Sequence, residues 1–360
     1  MKKVMLIVPS FIKGGVERVV SILSKELNKY YEVYVVIYHN PIEYKIEGKL
    51  INLETPTDSF GRKIKNIFCR LIKLKRLIKE ISPDFIVSFM GNLHPILTFK
   101  PVIVSIHSNP DFFPLRKKIF FKTVYKFPNV KKIITCSSGL EKNLISNYRL
   151  KNTKIIYNPI DLNLIDQKLL ALKPFEFNYI LAVGRLSRQR GHDILIKSFA
   201  KSSLKNKVKL VILGEGKERK NLEKLIDDLK IKNKVLLPGN VENPFVYMKY
   251  AQLFIHSSRC EGLSMVLLEA LACNAPVIAT SCCEIKPYEV IEDEVNSLLV
   301  PSEDVELLKG AMERLYHDRE LYMKLKSNAR KSIERFDIKN IVKEWLNLFE
   351  EVYKEVFETD

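Results

Sequence analysis

Two glutamates eight positions apart, Glu261 and Glu269, flank the start of an apolar, helix-forming run in the second half of the chain. A helix that opens near Ser264 leaves its first backbone amides without acceptors, and together with the positive end of the helix dipole they can bind a phosphate. Glu261 in the preceding turn and Glu269, about one and a half turns inside the helix, can accept hydrogen bonds from hydroxyl groups. The pattern indicates a diphosphate between two polyhydroxylated rings, as in a nucleotide sugar. The alternative is a surface turn followed by a helix with one solvated glutamate.

Two cations stand upstream of this element, just past a predicted buried strand. That strand ends at Gly184 and is followed by Arg185 and Arg190. The next predicted strand ends at a glycine pair, Gly214 and Gly216, where backbone can approach a ligand closely. In open α/β sheets, ligands bind outside the carboxyl ends of the strands. Cations, glycine turns and an acidic helix opening in this order therefore predict one anion-binding site.

These features, with Gly14 and Gly15 after the first strand and the segments 105–108 and 157–161, resemble the retaining glycosyltransferases of family four. The resemblance covers nearly the whole chain and implies the GT-B fold, in which two Rossmann-like parallel-sheet domains face each other across a cleft. Short apolar strands alternate with helices in both halves, which independently predicts an α/β protein with parallel sheets covered on both faces.

The resemblance also implies that the two domains bind different substrates. Residues 1–160 would form an acceptor-binding domain and residues 175–335 a nucleotide-sugar-binding domain. A C-terminal helix at 336–360 would return to the first domain. The segment 281–289 departs from the family pattern because it lacks a glycine turn, so Glu289 receives no role.

Residue roles are carried over from the family onto matching positions. Arg185 and Arg190 would neutralise the departing diphosphate without a metal ion, and His107 would face the donor sugar. Glu261 would hold hydroxyl groups of that sugar, and Glu269 would bind the ribose. The remaining donor contacts fall to glycines and backbone amides: Gly14, Gly15, Gly184, Gly214, Gly216, Gly262, Leu263 and Ser264.

The implied reaction is transfer of a hexose or N-acetylhexosamine, with retention of configuration, from a nucleotide-diphosphate sugar to a glycan or lipid-linked glycan acceptor. Uridine is the expected base, and guanosine-linked mannose stays open. The nucleotide sugar would be a co-substrate, and no cofactor or metal is expected. Two alternatives remain: a nucleotide-sugar epimerase of the same fold, and a glycan-binding protein without catalytic activity.

The net charge of +17 lies almost entirely in the first half of the chain. Residues 1–165 hold 28 Lys and Arg against 12 Asp and Glu, whereas residues 166–360 hold 31 against 30. Two basic segments, 62–79 and 112–122, also carry aliphatic or aromatic residues, which favours contact with an anionic membrane surface. For the first segment, an ordinary amphipathic helix with a solvated basic face is the alternative. The chain has no nucleic-acid motif beside its charge, so no nucleic-acid partner is expected.

Several features predict a cytoplasmic protein, peripheral on the inner face of the cell membrane. No apolar run approaches the roughly 18 residues of a membrane-spanning helix. The short apolar run after Met1 reads as a first strand and not as a signal peptide. The six cysteines, which include the adjacent Cys282 and Cys283, form no zinc pattern and are expected to be reduced thiols.

Overall fold

The computed structural model describes residues 1–12, 14–40, 42–55, 60–90, 93–112, 115–259, 263–281 and 289–358. The chain divides into two compact units. The first unit comprises residues 1–160 and 336–360, and the second comprises residues 161–335. Residues 161–174, which precede the predicted second domain, thus belong to the second unit.

The first unit is built on a seven-stranded parallel sheet with the strand order β3-β2-β1-β4-β5-β6-β7. Its central strands are short apolar runs that are buried on both faces, as parallel sheets require. The order reverses between β1 and β4, which creates a crevice at the carboxyl ends of the strands. The strands are β1 Lys3–Ile7, β2 Glu32–Ile37, β3 Lys49–Asn52, β4 Phe85–Phe89, β5 Val102–Ile106, β6 Val130–Thr135 and β7 Thr153–Ile155.

Helices cover both faces of this sheet, and the last of them comes from the C-terminal end of the chain. Phe349 in that helix stacks on Phe85 with ring centroids 4.7 Å apart. Glu351, two residues further along the helix, accepts hydrogen bonds from Lys132 at 2.5 Å and from Lys154 at 2.9 Å. The helices are α1 Gly15–Leu27, α2 Phe60–Ile81, α3 Leu115–Val124, α4 Ser138–Tyr148 and α12 Ile338–Phe357, with short 3-10 turns at Ile96–Thr98 and Pro110–Phe112.

The second unit holds a six-stranded parallel sheet with the order β10-β9-β8-β11-β12-β13, so its reversal lies between β8 and β11. The strands are β8 Tyr179–Val183, β9 Lys209–Leu213, β10 Val235–Gly239, β11 Leu253–His256, β12 Val277–Ser281 and β13 Ser297–Pro301. The helices are α5 Leu162–Lys168, α6 His192–Lys201, α7 Arg219–Asp228, α8 Pro244–Tyr250, α9 Met265–Ala272, α10 Val305–His317 and α11 Arg319–Ala329. Short 3-10 segments lie at Arg188–Arg190, Ser203–Asn206, Lys232–Lys234 and Lys331–Phe336.

The predicted α/β architecture with two parallel sheets is confirmed, but strand β3 and helices α3, α5 and α8 were not predicted. Strand β3 is an edge strand whose side chains are largely exposed, so it lacks the apolar run that marks the central strands. Helix α5 lies in the stretch between residues 160 and 175, the bounds of the two predicted domains. It begins because the Asp161 carboxylate accepts a hydrogen bond from the Leu164 amide at 2.9 Å, a regular N-cap. Helix α8 begins at Pro244, a residue suited to the first turn of a helix.

Candidate active site

The loops that follow β8 and β9 are joined to each other by backbone hydrogen bonds. The Gly184 amide donates to the Leu213 carbonyl at 2.9 Å, and the Leu186 amide donates to the Glu215 carbonyl at 2.9 Å. Gly214 has a φ of +137°, and a Cβ there would overlap the Gly184 carbonyl oxygen. Packing of one loop on the other thus accounts for this glycine, while its predicted contact with a ligand stays a prediction.

Arg185 and Arg190 both follow the carboxyl end of β8, but their side chains differ in exposure. Arg185 directly follows Gly184 and is exposed. Arg190 ends the 3-10 turn Arg188–Arg190 and is half-buried, with its side chain alongside Gly184. A Cβ on that glycine would lie 3.4 Å from Arg190 Cδ and 3.5 Å from Nε. These are ordinary van der Waals distances, so the Arg190 side chain lies directly against Gly184.

The charge of Arg190 acts on two buried imidazoles, His192 at the start of α6 and His256 at the end of β11. Burial, and then the positive charge of Arg190, lower the pKa of His192 to about 4. Burial, then Arg190 and then His192, lower the pKa of His256 to about 3. Both rings are therefore neutral at physiological pH. The His256 ring also contacts Ser264, since its Nε2 lies 3.1 Å from Ser264 Oγ.

Ser264 is the N-cap residue of α9, which begins at Met265. Its carbonyl accepts from the amides of Leu267 and Leu268, both at 3.2 Å, but its hydroxyl makes no capping hydrogen bond and faces His256 instead. The first amides of α9, those of Met265 and Val266, therefore lack the side-chain cap that an N-cap serine usually supplies. Leu263 and Ser264 are themselves buried. A helix start of this kind suits an anionic group of a ligand.

Glu269 lies inside α9 and is 1% exposed. Burial and the charge of Glu269 together raise the pKa of the Cys273 thiol, one turn further along the helix. Glu261 and Gly262, which were predicted to complete this site, lie outside the described residues, as do Cys282 and Cys283. The structure thus brings together Gly184, Arg190 and Ser264, with Glu269 on the same helix as the last.

The remaining predicted residues belong to the first unit. Gly14 is the N-cap of α1 and Gly15 its first residue, and Gly14 comes seven residues after the last residue of β1. A Cβ on Gly14 would overlap the carboxylate of Glu17, a buried side chain in the first turn of that helix. Their predicted contact with the donor diphosphate stays a prediction.

His107 follows β5 and is held in one orientation by its neighbours. Its Nε2 lies 2.9 Å from Ser105 Oγ, and its ring stacks on Phe89 with centroids 5.9 Å apart. Burial lowers its pKa to about 4, which a hydrogen bond with Asn158 partly opposes. A neutral, oriented imidazole at the carboxyl end of a strand can exchange hydrogen bonds with a hydroxyl group without changing its protonation state.

Sequence reasoning missed two residues of this site, His256 and Gly191. His256 lies at the end of an apolar strand, where nothing in the sequence links it to Ser264. Gly191 has a φ of +64°, and a Cβ there would overlap the Ser257 carbonyl oxygen. Its position directly after Arg190 was visible, and a glycine that opens a helix signals such a close backbone approach.

The described part of the chain contains no group of three or more His, Cys, Asp and Glu side chains placed to hold a metal ion. Over the same residues, no helix combines the length and apolar character needed to cross a bilayer.

The buried imidazoles make the stability of the protein sensitive to acid. The folded-state pKa of His192 lies below the unfolded value of about 6.5. Between pH 4 and 6.5 the unfolded chain therefore binds more protons than the folded one, and stability decreases as the pH is lowered. We expect the wild type to lose roughly 1–2 kcal/mol more stability between pH 7 and pH 5 than His192→Gln. Urea unfolding followed by circular dichroism at both pH values measures this difference. His317→Gln, at an exposed position, is the control, and equal losses in wild type and His192→Gln would contradict the expectation.

Two family models match the chain. The model described as glycosyl transferases group 1 matches residues 171–332, and the model described as glycosyltransferase family 4 matches residues 13–164.

Two Campylobacter jejuni enzymes are similar over almost their whole length. N-acetylgalactosamine-N,N'-diacetylbacillosaminyl-diphospho-undecaprenol 4-alpha-N-acetylgalactosaminyltransferase is 29% identical, covering 96% of this chain and 99% of the enzyme. The second is named for adding alpha-1,4-linked N-acetyl-D-galactosamine to GalNAc-alpha-(1->4)-GalNAc-alpha-(1->3)-diNAcBac-PP-undecaprenol, and it is 29% identical over 98% of this chain and 99% of its own.

Solved structures share the fold. Sucrose-phosphate synthase from Thermosynechococcus elongatus superposes with a TM-score of 0.82 at 18% identity, covering 99% of this chain and 100% of that one. Anabaena HepE in complex with UDP-glucose superposes with a TM-score of 0.81 at 19% identity, covering 98% and 100%.

Proposed function

The chain belongs to the group 1 glycosyltransferases of family 4, and on this premise we propose that it moves an N-acetylhexosamine or hexose from a nucleotide-diphosphate sugar to a lipid-linked glycan precursor. The observation that carries the proposal is the continuity from Arg190 through His256 to Ser264 at the start of α9. This continuity supports a site in which a guanidinium acts beside a helix start that lacks a side-chain cap. That is the combination a departing diphosphate requires.

The proposed mechanism stabilises the charge that develops when the sugar–phosphate bond breaks. About two negative charges build up on the leaving diphosphate, and oriented donors that meet this charge contribute strongly to the rate. Arg190 supplies a fork of N–H donors, and the start of α9 supplies amides and the positive end of the helix dipole. In this proposal these groups take the place of a divalent metal. Retention of configuration is supported by the family alone.

The donor is proposed from the relatives. Both Campylobacter enzymes are named for transfer of N-acetylgalactosamine, which supports an N-acetylhexosamine donor. UDP is the nucleotide to test first, because HepE, which shares the fold, was solved with UDP-glucose. Glu269 would bind the ribose hydroxyls, and Glu261 the hydroxyls of the transferred sugar.

The acceptor is proposed to reside at the cytoplasmic face of the membrane, since the named acceptors of both relatives carry undecaprenol. Helix α2 and a neighbouring ring supply a surface that suits this location, which we call the α2 surface. It comprises Phe68, Ile72, Lys75, Arg76 and Phe99.

The α2 surface combines exposed apolar side chains with cations. Phe68 and Ile72, one turn apart, are 62% and 67% exposed, and Phe99 is 67% exposed. The Lys75 ammonium lies 5.8 Å from the centre of the Phe99 ring. An ordinary amphipathic helix accounts for the buried stripe of α2 but not for Phe68 and Ile72. Insertion of these side chains among lipid headgroups, with cations beside the phosphates, accounts for both.

We expect the double variant Phe68→Ser, Ile72→Ser to weaken binding to vesicles of anionic lipid at least tenfold. Full burial of one large apolar side chain stabilises by about 1.5–3 kcal/mol, and the variant loses two such side chains. Sedimentation with vesicles measures this. Wild-type binding should also fall as salt rises from 0.05 to about 0.5 M, since screening weakens attraction to the headgroups. Leu307→Ser, an exposed apolar residue of the second unit, is the control. Equal binding to neutral and anionic vesicles would contradict the proposal.

A donor screen tests the function itself. The protein is incubated with a panel of nucleotide sugars, with and without an undecaprenyl-diphosphate-linked glycan, and with and without EDTA. Release of nucleoside diphosphate only when acceptor is present, and undiminished by EDTA, supports the proposal. Conversion of the nucleotide sugar without acceptor would indicate an epimerase, and binding without turnover would indicate a glycan-binding protein.

A further inference from the structure

Arg259 lies three residues after His256, the last residue of β11, and its side chain contacts several elements. It is largely buried, with 17% of its side chain exposed. Its Nη1 and Nη2 donate to the two carboxylate oxygens of Asp193, at 2.7 and 2.8 Å. Glu303 accepts from Nε and, at 3.3 Å, from Nη2. The guanidinium is thus gripped by two carboxylates from different parts of the second unit.

The same residue also binds the turn that carries Arg190. Arg259 Nη1 donates to the Arg188 carbonyl at 2.7 Å, and the Arg259 amide donates to the Gln189 carbonyl at 2.8 Å. Two residues earlier, Ser257 Oγ donates to the Arg190 carbonyl at 3.1 Å. Every residue of the 3-10 turn Arg188–Arg190 is therefore fastened to the segment between β11 and α9.

The charges around Arg259 distinguish its role from that of Arg190. Asp193 and Glu303 together neutralise it, so it offers little net charge to an anionic ligand. Burial alone would raise the pKa of Asp193, but the hydrogen bonds and the charge of Arg259 lower it overall. The same hydrogen bonds raise the pKa of Arg259, so the pair stays ionised. These contacts fix the turn Arg188–Arg190 relative to the residues that follow β11.

The contacts also require the shape of an arginine. A planar guanidinium can donate to both oxygens of one carboxylate, to a second carboxylate and to a carbonyl in one conformation. A lysine ammonium keeps the charge but is a single point with three donors, so it cannot serve the four acceptors at once.

We propose that Arg259 is a positioning residue, which fixes Arg190 relative to the start of α9. Both groups are then placed to bind the leaving diphosphate. This inference rests on the proposed function. A displacement of about 1 Å in an active site can cost around 100-fold in rate. Loss of Arg259 should therefore act on turnover with the donor while leaving acceptor recognition intact.

The test compares Arg259→Lys with Arg314→Lys, which removes the same guanidinium from an exposed pair with Glu294. We expect Arg259→Lys to lower kcat about 10- to 100-fold, while the KM for the acceptor changes less than about twofold. Arg314→Lys should retain wild-type kinetics. Circular dichroism and melting temperatures establish that both variants are folded at the assay temperature.

A second variant makes the test independent of how Arg259→Lys folds. Asp193→Asn should reproduce the loss of kcat, and the double variant should be no slower than either single variant, because the pair acts as one unit. Wild-type kcat in either folded single variant, or losses that multiply, would overturn the inference. Binding of UDP, GDP and ADP to the wild type is measured first by calorimetry. If the wild type binds none of them, the proposed function fails and this inference fails with it.

Discussion

Arg190→Ala is expected to lower kcat by about 100- to 1000-fold, the cost typical of removing one group that stabilises transition-state charge. The KM for the donor should change less, because the charge on the diphosphate grows only as the sugar departs. The structural basis is the position of Arg190. Its charge acts on His256, whose ring contacts Ser264 at the start of α9.

The controls for this experiment lie in the same turn. Arg188→Ala removes an exposed arginine two residues away and should leave kcat within about threefold of wild type, since an exposed charge is screened by solvent and salt. Arg185→Ala should also mainly lower turnover, by less than Arg190→Ala because Arg185 is exposed. Steady-state kinetics with varied donor give both constants. Equal kcat in Arg190→Ala and Arg188→Ala would refute the assignment.

The arrangement around Arg190 was only partly predictable from the sequence. A buried strand that ends in glycine and is followed by arginine is a local pattern, so both cations could be placed at the carboxyl end of β8. The contacts around the Arg188–Arg190 turn are not local. His256 reaches Ser264 across eight positions of sequence, and Arg259 reaches Asp193 across 66. No periodicity or spacing encodes such pairs.

The start of α9 was predicted to within one residue, but Ser264 does not cap the helix in the usual way. The sequence predicts a helix that opens near Ser264, and α9 begins at Met265. A serine at this position ordinarily caps the helix with its own hydroxyl. Here that hydroxyl faces His256, a neutral imidazole buried at the end of β11. Tertiary packing has replaced the local hydrogen bond.

Elements without a strong apolar pattern were the ones missed. Strand β3 is exposed at the sheet edge, and the seven-residue α5 has few positions on which a helical period can register. The buried strand predicted to end at Gly184 is β8, which ends at Val183, because an unbroken apolar run leaves little choice of environment. Glu261 and Gly262 lie outside the described residues, so their roles stay predictions.

Glu269→Gln is expected to weaken donor binding about 10- to 100-fold, the range that corresponds to losing hydrogen bonds to a charged acceptor. Glu269 is buried inside α9, five residues after the N-cap Ser264, so its carboxylate lies behind the proposed diphosphate site. Glutamine keeps the volume but exchanges an acceptor oxygen for a donor, which cannot accept from the second of two neighbouring ribose hydroxyls.

The measurement is calorimetric titration of the folded variant with nucleoside diphosphate, because binding of the nucleotide alone separates Glu269 from residues that act on the sugar. Glu306→Gln, at an exposed carboxylate of α10 that pairs with Lys201, is the control and should bind like the wild type. If Glu269 contacts the ribose, the 2'-deoxy and 3'-deoxy nucleotides should bind the wild type weakly and lose little more in Glu269→Gln, since both changes remove the same hydrogen bond. Independent, multiplicative losses would mean that Glu269 acts elsewhere, through the packing of α9.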